Sequence, residues 1–355
     1  MTRYFKVTCE AGASDLHLKA DAPPRLRIHG KIKSLRADPM PSRLIEALGI
    51  ELLDTRQKSL FDREGTVDFA YEMDSGDRFR INLFRQRNRV SLAARRVLAA
   101  IPSLEDLHVP AQVASLAKLM QGLVLLVGPT GCGKSTTIAA LIDLINQQRA
   151  CHILTLEDPI EYLFQDKTAF INQREIGTDV PDFPSALKYL LREDPDVVLI
   201  GEMRDTETFN AAIRAAETGH LVFGTIHSGG AAETIVRILD LFSPDERPLI
   251  RQSLRENLKA VVAQRLLSCL YQDVAIIPTV EIMLATPLVR KMIGEGRESD
   301  LPDVIRKGVE DGMQDFNESL LKLVQEEAIT TADAYEISPN ADELKMRLKG
   351  ISPRL

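Results

Sequence analysis

The stretch Gly122-Leu-Val-Leu-Leu-Val-Gly-Pro-Thr-Gly-Cys-Gly-Lys-Ser-Thr-Thr137 decides how the chain is read. Leu123 to Val127 is a short apolar run, of the kind that fills a central parallel strand covered on both faces. Gly128, Gly133, Lys134 and Ser135 then fit the spacing G-x-x-x-x-G-K-[ST]. The spacing predicts a strand, a glycine-rich turn and a helix. Gly128, Pro129, Thr130, Gly131, Cys132, Gly133, Lys134, Ser135 and Thr136 are expected to wrap a polyphosphate with inward-turned N–H groups. The helix start adds free N–H groups and the positive end of its dipole. Lys134 is expected to reach the β- and γ-phosphates, and Ser135 to ligate Mg²⁺. A chance match would lack the flanking strand and helix.

Downstream, three apolar runs end in polar groups. Cys151 to Leu156 reads as a buried strand closing on Glu157-Asp-Pro-Ile-Glu161, three carboxylates at the carboxyl edge of the sheet. Open parallel sheets bind ligands at that edge; the competing reading is an acidic loop with a helix cap. Val197 to Ile200 is a strand followed by Gly201-Glu202, with Asp205 just beyond. A hydrophobic strand closing on an acid after a phosphate loop is Walker B-like, and its carboxylate serves Mg²⁺ through water or orients the attacking water. The third run, within Gly219 to Ser228, is bracketed by His220 and His227. A neutral imidazole can donate one hydrogen bond to a phosphate oxygen, so the pair is a candidate γ-phosphate sensor. The strand between them would hold their Cα atoms roughly 20 Å apart, which argues against a shared metal.

Helices are expected over Thr136–Gln148, Phe183–Leu191, Thr206–Thr218, Ala231–Leu241 and Pro244–Leu267. Thr279 to Leu284 reads as a strand, and Pro287 to Tyr335 as helical, with Phe316, Leu320, Leu323 and Val324 in one apolar stripe. Pro339 to Leu355 is expected to be a loosely attached charged tail.

Residues 1–98 read as a small α+β domain. Asp15–Leu18 and Arg25–Ile28 alternate polar and apolar as half-buried strands do, and His29-Gly30 suits a hairpin turn into Lys31–Lys33. Ser42 to Leu60 has helical spacing; Thr66–Tyr71 and Arg78–Phe84 read as strands around Asp74–Asp77. Arginines then crowd the chain, Arg80, Arg85, Arg95 and Arg96 among them. Each alone reads as a solvated strand face; together they suit nucleic acid, an acidic partner, or the phosphates of a nucleotide held by another subunit. Residues 99–110, with two prolines, are expected to be a linker over the surface. Residues 111–355 form the nucleotide domain with a C-terminal helical part.

The 355 residues suffice for two domains, and the 45% apolar content for real cores. A net charge of −7 argues against a general nucleic-acid binder. The four cysteines are far apart with no C-x-x-C pair, so neither a zinc site nor a disulfide framework is indicated. No apolar run approaches membrane-spanning length and no signal-peptide core is present, which predicts a cytoplasmic protein.

At this point the residues carry a resemblance. Ile153-Leu-Thr-Leu-Glu-Asp-Pro-Ile-Glu-Tyr162 resembles the Asp box of the secretion-superfamily ATPases, Gly201-Glu-Met-Arg-Asp205 their Walker B motif, and Thr218-Gly-His-Leu-Val-Phe-Gly-Thr-Ile-His227 their His box. Within that superfamily Ala13-Ser-Asp-Leu-His-Leu18, Pro24–Ile28, Asn172-Gln-Arg-Glu175, Ser185–Tyr189 and Gly312-Met-Gln314 resemble the type IV pilus retraction ATPases of the PilT type. The resemblance implies a PAS-like N-terminal domain linked to a RecA-like P-loop ATPase domain. It further implies ATP and Mg²⁺, a homohexamer, and an inner-membrane pilus platform protein as partner at the cytoplasmic face. Glu157 and Asp158 would stand in the second shell of Mg²⁺; Glu161 and Glu202 would orient or deprotonate water; His227, with His220, would sense the γ-phosphate. Arg80, Arg85, Arg95 or Arg96 would complete a neighbour's site. Three departures stand out: only Met1 to Gly12 precedes the Ala-Ser-Asp element, Ser268–Asp273 replaces a basic glycine-containing hairpin, and Pro287–Gly296 alone represents the retraction-associated segment. An accessory paralogue, a conjugation or type IV secretion ATPase, and a RecA-like nucleic-acid motor are the alternatives.

Overall fold

Six antiparallel strands organise the first hundred residues of the computed structural model, which describes residues 1–350 except His29, Leu98, Ala99 and Leu191. The chain divides into two compact units, Met1–Ala100 with Glu161–Leu163, and Ile101–Ile160 with Phe164–Leu355. In the first, α1 (Thr2–Glu10) leads into β1 (Asp15–Leu18), β2 (Arg25–Ile28) and β3 (Lys31–Ser34). Then come α2 (Ser42–Glu51), α3 (Thr55–Glu64), β4 (Thr66–Glu72), β5 (Arg78–Gln86) and β6 (Arg89–Val97). The strand order is β3-β2-β1-β6-β5-β4. Phe79, Ile81 and Leu83 alternate along β5 and face Phe5, Ile45 and Phe61 of the helices.

Two expectations change here. Ser42 to Leu60 is two helices rather than one. Asp54 breaks the run by capping α3: its carboxylate accepts the Gln57 N–H at 2.7 Å while the Gln57 side chain accepts the Asp54 N–H at 3.0 Å. The strand β6, hidden in the arginine-rich stretch, pairs with both β1 and β5. The anticipated turn at His29 lies outside the described residues.

The second unit opens with α4 (Ala111–Ser115), then β7 (Gly122–Val127), α5 (Lys134–Gln148), β8 (His152–Glu157), β9 (Phe170–Glu175) and α6 (Phe183–Leu190). It continues through β10 (Val197–Ile200), α7 (Thr206–Glu217), β11 (Leu221–Ile226), α8 (Ala231–Asp240), α9 (Arg247–Asn257), β12 (Leu258–Ser268) and β13 (Ile276–Leu284). Helices α10 (Pro287–Glu295), α11 (Leu301–Lys307), α12 (Phe316–Gln325), α13 (Thr331–Ile337) and α14 (Ala341–Leu348) complete it. The order is β13-β12-β7-β11-β10-β8-β9, parallel except for β13. Every residue of β7, β10 and β11 is buried, as strands covered on both faces must be.

Three further readings are corrected. Leu258 to Leu267 is not the end of a helix but β12; Ala260 to Ala263 are fully buried between β7 and β13, where β-branched side chains pack well. The supposed surface linker is partly internal: Leu104 is buried and packs, with Ile101, Leu107 and Val109 at the margin, into the core that holds Val113 and Leu141. The tail is docked through residue 348. Leu344 of α14 is fully buried, and Arg347 pairs with Asp315, Glu318 and Glu343. Its last five residues lie outside the described ones, as does Leu191, the last residue of the helix expected over Phe183–Leu191.

Candidate phosphate-binding site

Because β7, β10 and β11 run parallel, their carboxyl ends lie side by side: Val127 pairs with Ile226, and Ile200 with Gly224. The loop after β7 therefore meets the segments after β10 and β11 at one edge. Gly128, Gly131 and Gly133 take φ of 149°, 77° and 87°, values that side chains resist. Lys134, at the start of α5, is only 8% exposed. Its ammonium donates to the Gly128 carbonyl at 2.9 Å and to that of Pro129 at 3.0 Å, so its charge is held at the mouth of the loop. Ser135 is exposed on the first helical turn. Burial pushes the Cys132 thiol up, against the pull of Lys134, and keeps it protonated.

Glu202 is fixed by its neighbours. The Met203 N–H donates to the Thr225 carbonyl at 2.9 Å, the Thr225 hydroxyl to the Gly201 carbonyl at 2.6 Å, and the Gly201 N–H to the Leu156 carbonyl at 2.8 Å. Gly201 leaves little room for a side chain: a Cβ would stand 3.1 Å from the Leu156 oxygen and 3.3 Å from the Glu157 Cα, and both are backbone atoms that would have to give way. The Glu202 carboxylate accepts from Arg204 at 2.5 Å and lies 3.2 Å from His227 Nε2. Burial raises its pKa, but the hydrogen bond and charge of Arg204, then His227 and Lys134, outweigh burial and hold the carboxyl below its ordinary value. It is an ionised acceptor facing an imidazole N–H.

The other carboxylates divide. Glu157 is nearly buried, and its Oε1 accepts from the Thr155 hydroxyl at 2.7 Å and the Gln173 amide at 3.1 Å. Asp158 is exposed. Glu161 is exposed too and falls with the first unit.

His220 lies apart from these groups. It precedes β11, at the amino edge, where its carbonyl accepts from Gly122 and its Nδ1–H donates to the Ala215 carbonyl at 2.9 Å. The length of β11, about 20 Å, separates it from the phosphate loop. It closes the end of α7, at the opposite edge of the sheet from the phosphate loop.

The four arginines do not form one group either. Arg80 and Arg95 are directly paired across β5 and β6, and odd spacing puts Arg85 and Arg96 on the other face. Arg95 pairs with Asp15 at 2.9 Å and Arg96 with Asp77 at 2.8 Å. Arg85 lies 5.0 Å over the Phe61 ring and within 4 Å of Glu46 and Asp62. Arg80 is exposed and makes no ion pair among the described residues.

Sequence reasoning missed three residues that shape the site. Arg204 sits in the quoted Gly201–Asp205 motif, yet its grip on Glu202 is visible only in three dimensions. Arg265 of β12 donates to the Gly229 carbonyl at 3.0 Å, just past His227, and to the Ile337 carbonyl at 2.6 Å. Gln264 beside it touches the phosphate loop. The only sequence signal was a polar pair interrupting an apolar run.

A strand, a glycine loop closed by a lysine, and an acid just past β10, a parallel strand separated from β7 by β11, define a P-loop domain. Residues 98–311 match the family model described as type II/IV secretion system protein. The chain belongs to that family. It is 38% identical over 336 residues to the type IV pilus retraction ATPase PilT of Pseudomonas aeruginosa, covering 95% of this chain and 97% of that one. It is 35% identical to the type IV pilus ATPase PilU of the same organism, covering 98% and 91%. A crystal structure of the pilus retraction motor PilT with bound ADP superposes with a TM-score of 0.90 at 41% identity, covering 96% of this chain and 97% of that chain. Among the described residues no helix is long and apolar enough to cross a membrane.

Proposed function

We propose that this chain is an ATP-hydrolysing motor that powers type IV pilus retraction, working as a homohexamer docked on an inner-membrane platform protein at the cytoplasmic face. The observation that carries it is the phosphate loop sharing one sheet edge with the Glu202–His227 pair, in a chain similar to a pilus retraction ATPase along nearly its whole length. In this reading Lys134 exchanges its carbonyl partners for phosphate oxygens, and the backbone of Gly131 to Thr136 supplies N–H donors. The Ser135 hydroxyl is exposed where Mg²⁺ would meet the phosphates, an ion that takes one or two protein oxygens and keeps water. When bound, Mg²⁺ neutralises charge on the transferring phosphoryl group. Asp158 and Glu157 act through water. Glu202, kept ionised by Arg204, orients or deprotonates the attacking water, with Glu161 the other candidate. His227 reports the γ-phosphate to Glu202 through their contact. Arg80, which makes no ion pair among the described residues, is the arginine of the four left to serve a neighbour's site.

The test has two arms. The purified chain should hydrolyse ATP and run as a hexamer by native mass spectrometry, and its deletion should abolish twitching. Absence of turnover in a confirmed hexamer with Mg²⁺ present would overturn the motor reading. Similarity to PilU over 98% of the chain favours a second reading, an accessory motor. A deletion strain that still twitches, but retracts with less force, supports that one.

A further inference from the structure

We propose that Gln264 is a positioning residue of the phosphate loop: by holding the Cys132 carbonyl from behind, it aims the Gly133 N–H at bound phosphate. The inference rests on the nucleotide-binding reading above. β12 lies parallel to β7 with Ala263 opposite Val127, so Gln264 falls beside Gly128, where the loop begins. Its side chain is buried, at 2% exposure. The amide uses both ends. Nε2 donates to the Cys132 carbonyl at 2.7 Å, and Oε1 accepts from the Thr137 hydroxyl at 2.9 Å. One planar group thus joins the crest of the loop to the first turn of α5.

The consequence follows from peptide geometry. In a trans peptide the C=O and N–H point in opposite directions. Turning the Cys132 carbonyl toward β12 turns the Gly133 N–H away from it, to the loop's other side. That N–H has no hydrogen-bond partner among the described residues. The glycines record the same closeness. A Cβ on Gly133 would stand 2.8 Å from Gln264 Nε2, and one on Gly128 only 2.4 Å from the Gln264 carbonyl oxygen. Two glycines of the motif are therefore required by the neighbouring strand as well as by their own φ.

The experiment measures ADP affinity by calorimetry, with ligand-free melting, on the full chain. Gln264→Glu keeps the acceptor for Thr137 and removes the donor to Cys132. Gln264→Leu removes both arms. Thr137→Val removes only the hydroxyl and guards against a Gln264 variant that fails to fold. Loss of ADP affinity by about tenfold in Gln264→Glu, and by less in Thr137→Val, is expected. kcat at saturating ATP should change less than affinity. A purely structural role would instead lower the ligand-free melting temperature and leave the affinity of folded molecules at the wild-type value; that result overturns the proposal. Wild-type protein that binds no ADP would sink the nucleotide reading itself, whereas wild-type binding with unchanged variants sinks only this inference.

Discussion

The two edges of the seven-stranded sheet carry the same residue types to different ends. At the carboxyl edge the phosphate loop, Glu202 and His227 meet, although they are spread over about a hundred residues of sequence. At the amino edge His220 donates to a helix-end carbonyl and accepts from Gly122. Parallel strands bring distant carboxyl ends together, while a single strand carries its own two ends roughly 20 Å apart. A histidine's role on β11 is thus set by strand direction, not by nearness in sequence.

The comparison is broken most severely at the loop. Lys134→Ala should abolish ATP turnover while far-UV circular dichroism stays at the wild-type signal; an active Lys134→Ala protein would remove the loop from the chemistry. Glu202→Gln should retain ATP affinity and lose kcat by ~10²–10⁴. If Glu161→Gln behaves that way instead, the two carboxylates exchange roles.

The acid limb of the pH profile sharpens the same point. The Glu202 carboxyl is held below its ordinary value of 4.5, so it remains ionised as the pH falls to that value and is protonated only below it. Arg204→Gln removes the hydrogen bond and charge that offset burial. The acid limb of kcat/KM should then move to higher pH; an unmoved limb would mean that Glu202 is not the titrating group.

Whether the carboxyl edge is complete within one chain is tested by Arg80→Ala, expected to lower kcat by ~10² if Arg80 serves another subunit's phosphates. Mixed with Lys134→Ala in confirmed hexamers, it should regain part of the activity, read against a wild-type titration. Full turnover in Arg80→Ala alone would make it a solvated residue. The two histidines give the smallest effects and the cleanest contrast. His227→Ala should lower kcat by ~10-fold, the scale of one net hydrogen bond of about 1 kcal/mol. His220→Ala should leave kcat unchanged and lower stability by about 1 kcal/mol, one hydrogen bond, in chemical denaturation. Equal kinetic losses would contradict the division between edges.

What could be read from the sequence follows the physics of each signal. The strand β7 and its loop were legible because an apolar run and spaced glycines have few other uses. Glu202 was legible because it closes a short apolar run. The strand β12 was not, since α9 runs into Leu258 with no glycine or proline between them, and Ala260 to Ala263 reads equally as buried helix. The strand β9 lies at the sheet's edge and is mostly polar, so it lacked an apolar signature. Docking of α14 rests on Leu344 and on Arg347 reaching Asp315, a residue 32 positions away, and no local pattern announces that. The division of the arginine cluster was not legible because sequence counts charges, whereas the pleat sorts them by face and Asp15 and Asp77 pair with two of them.

The lysine of the phosphate loop has one more consequence. Its ammonium has already left bulk water and rests on the Gly128 and Pro129 carbonyls. Ligand entry is therefore an exchange of acceptors rather than the dehydration of a cation. Such a site discriminates by how well an anion outcompetes two fixed carbonyl dipoles. Compact, multiply charged anions such as pyrophosphate and sulfate should occupy it as competitive inhibitors, while monovalent anions of similar size should leave the lysine where it is.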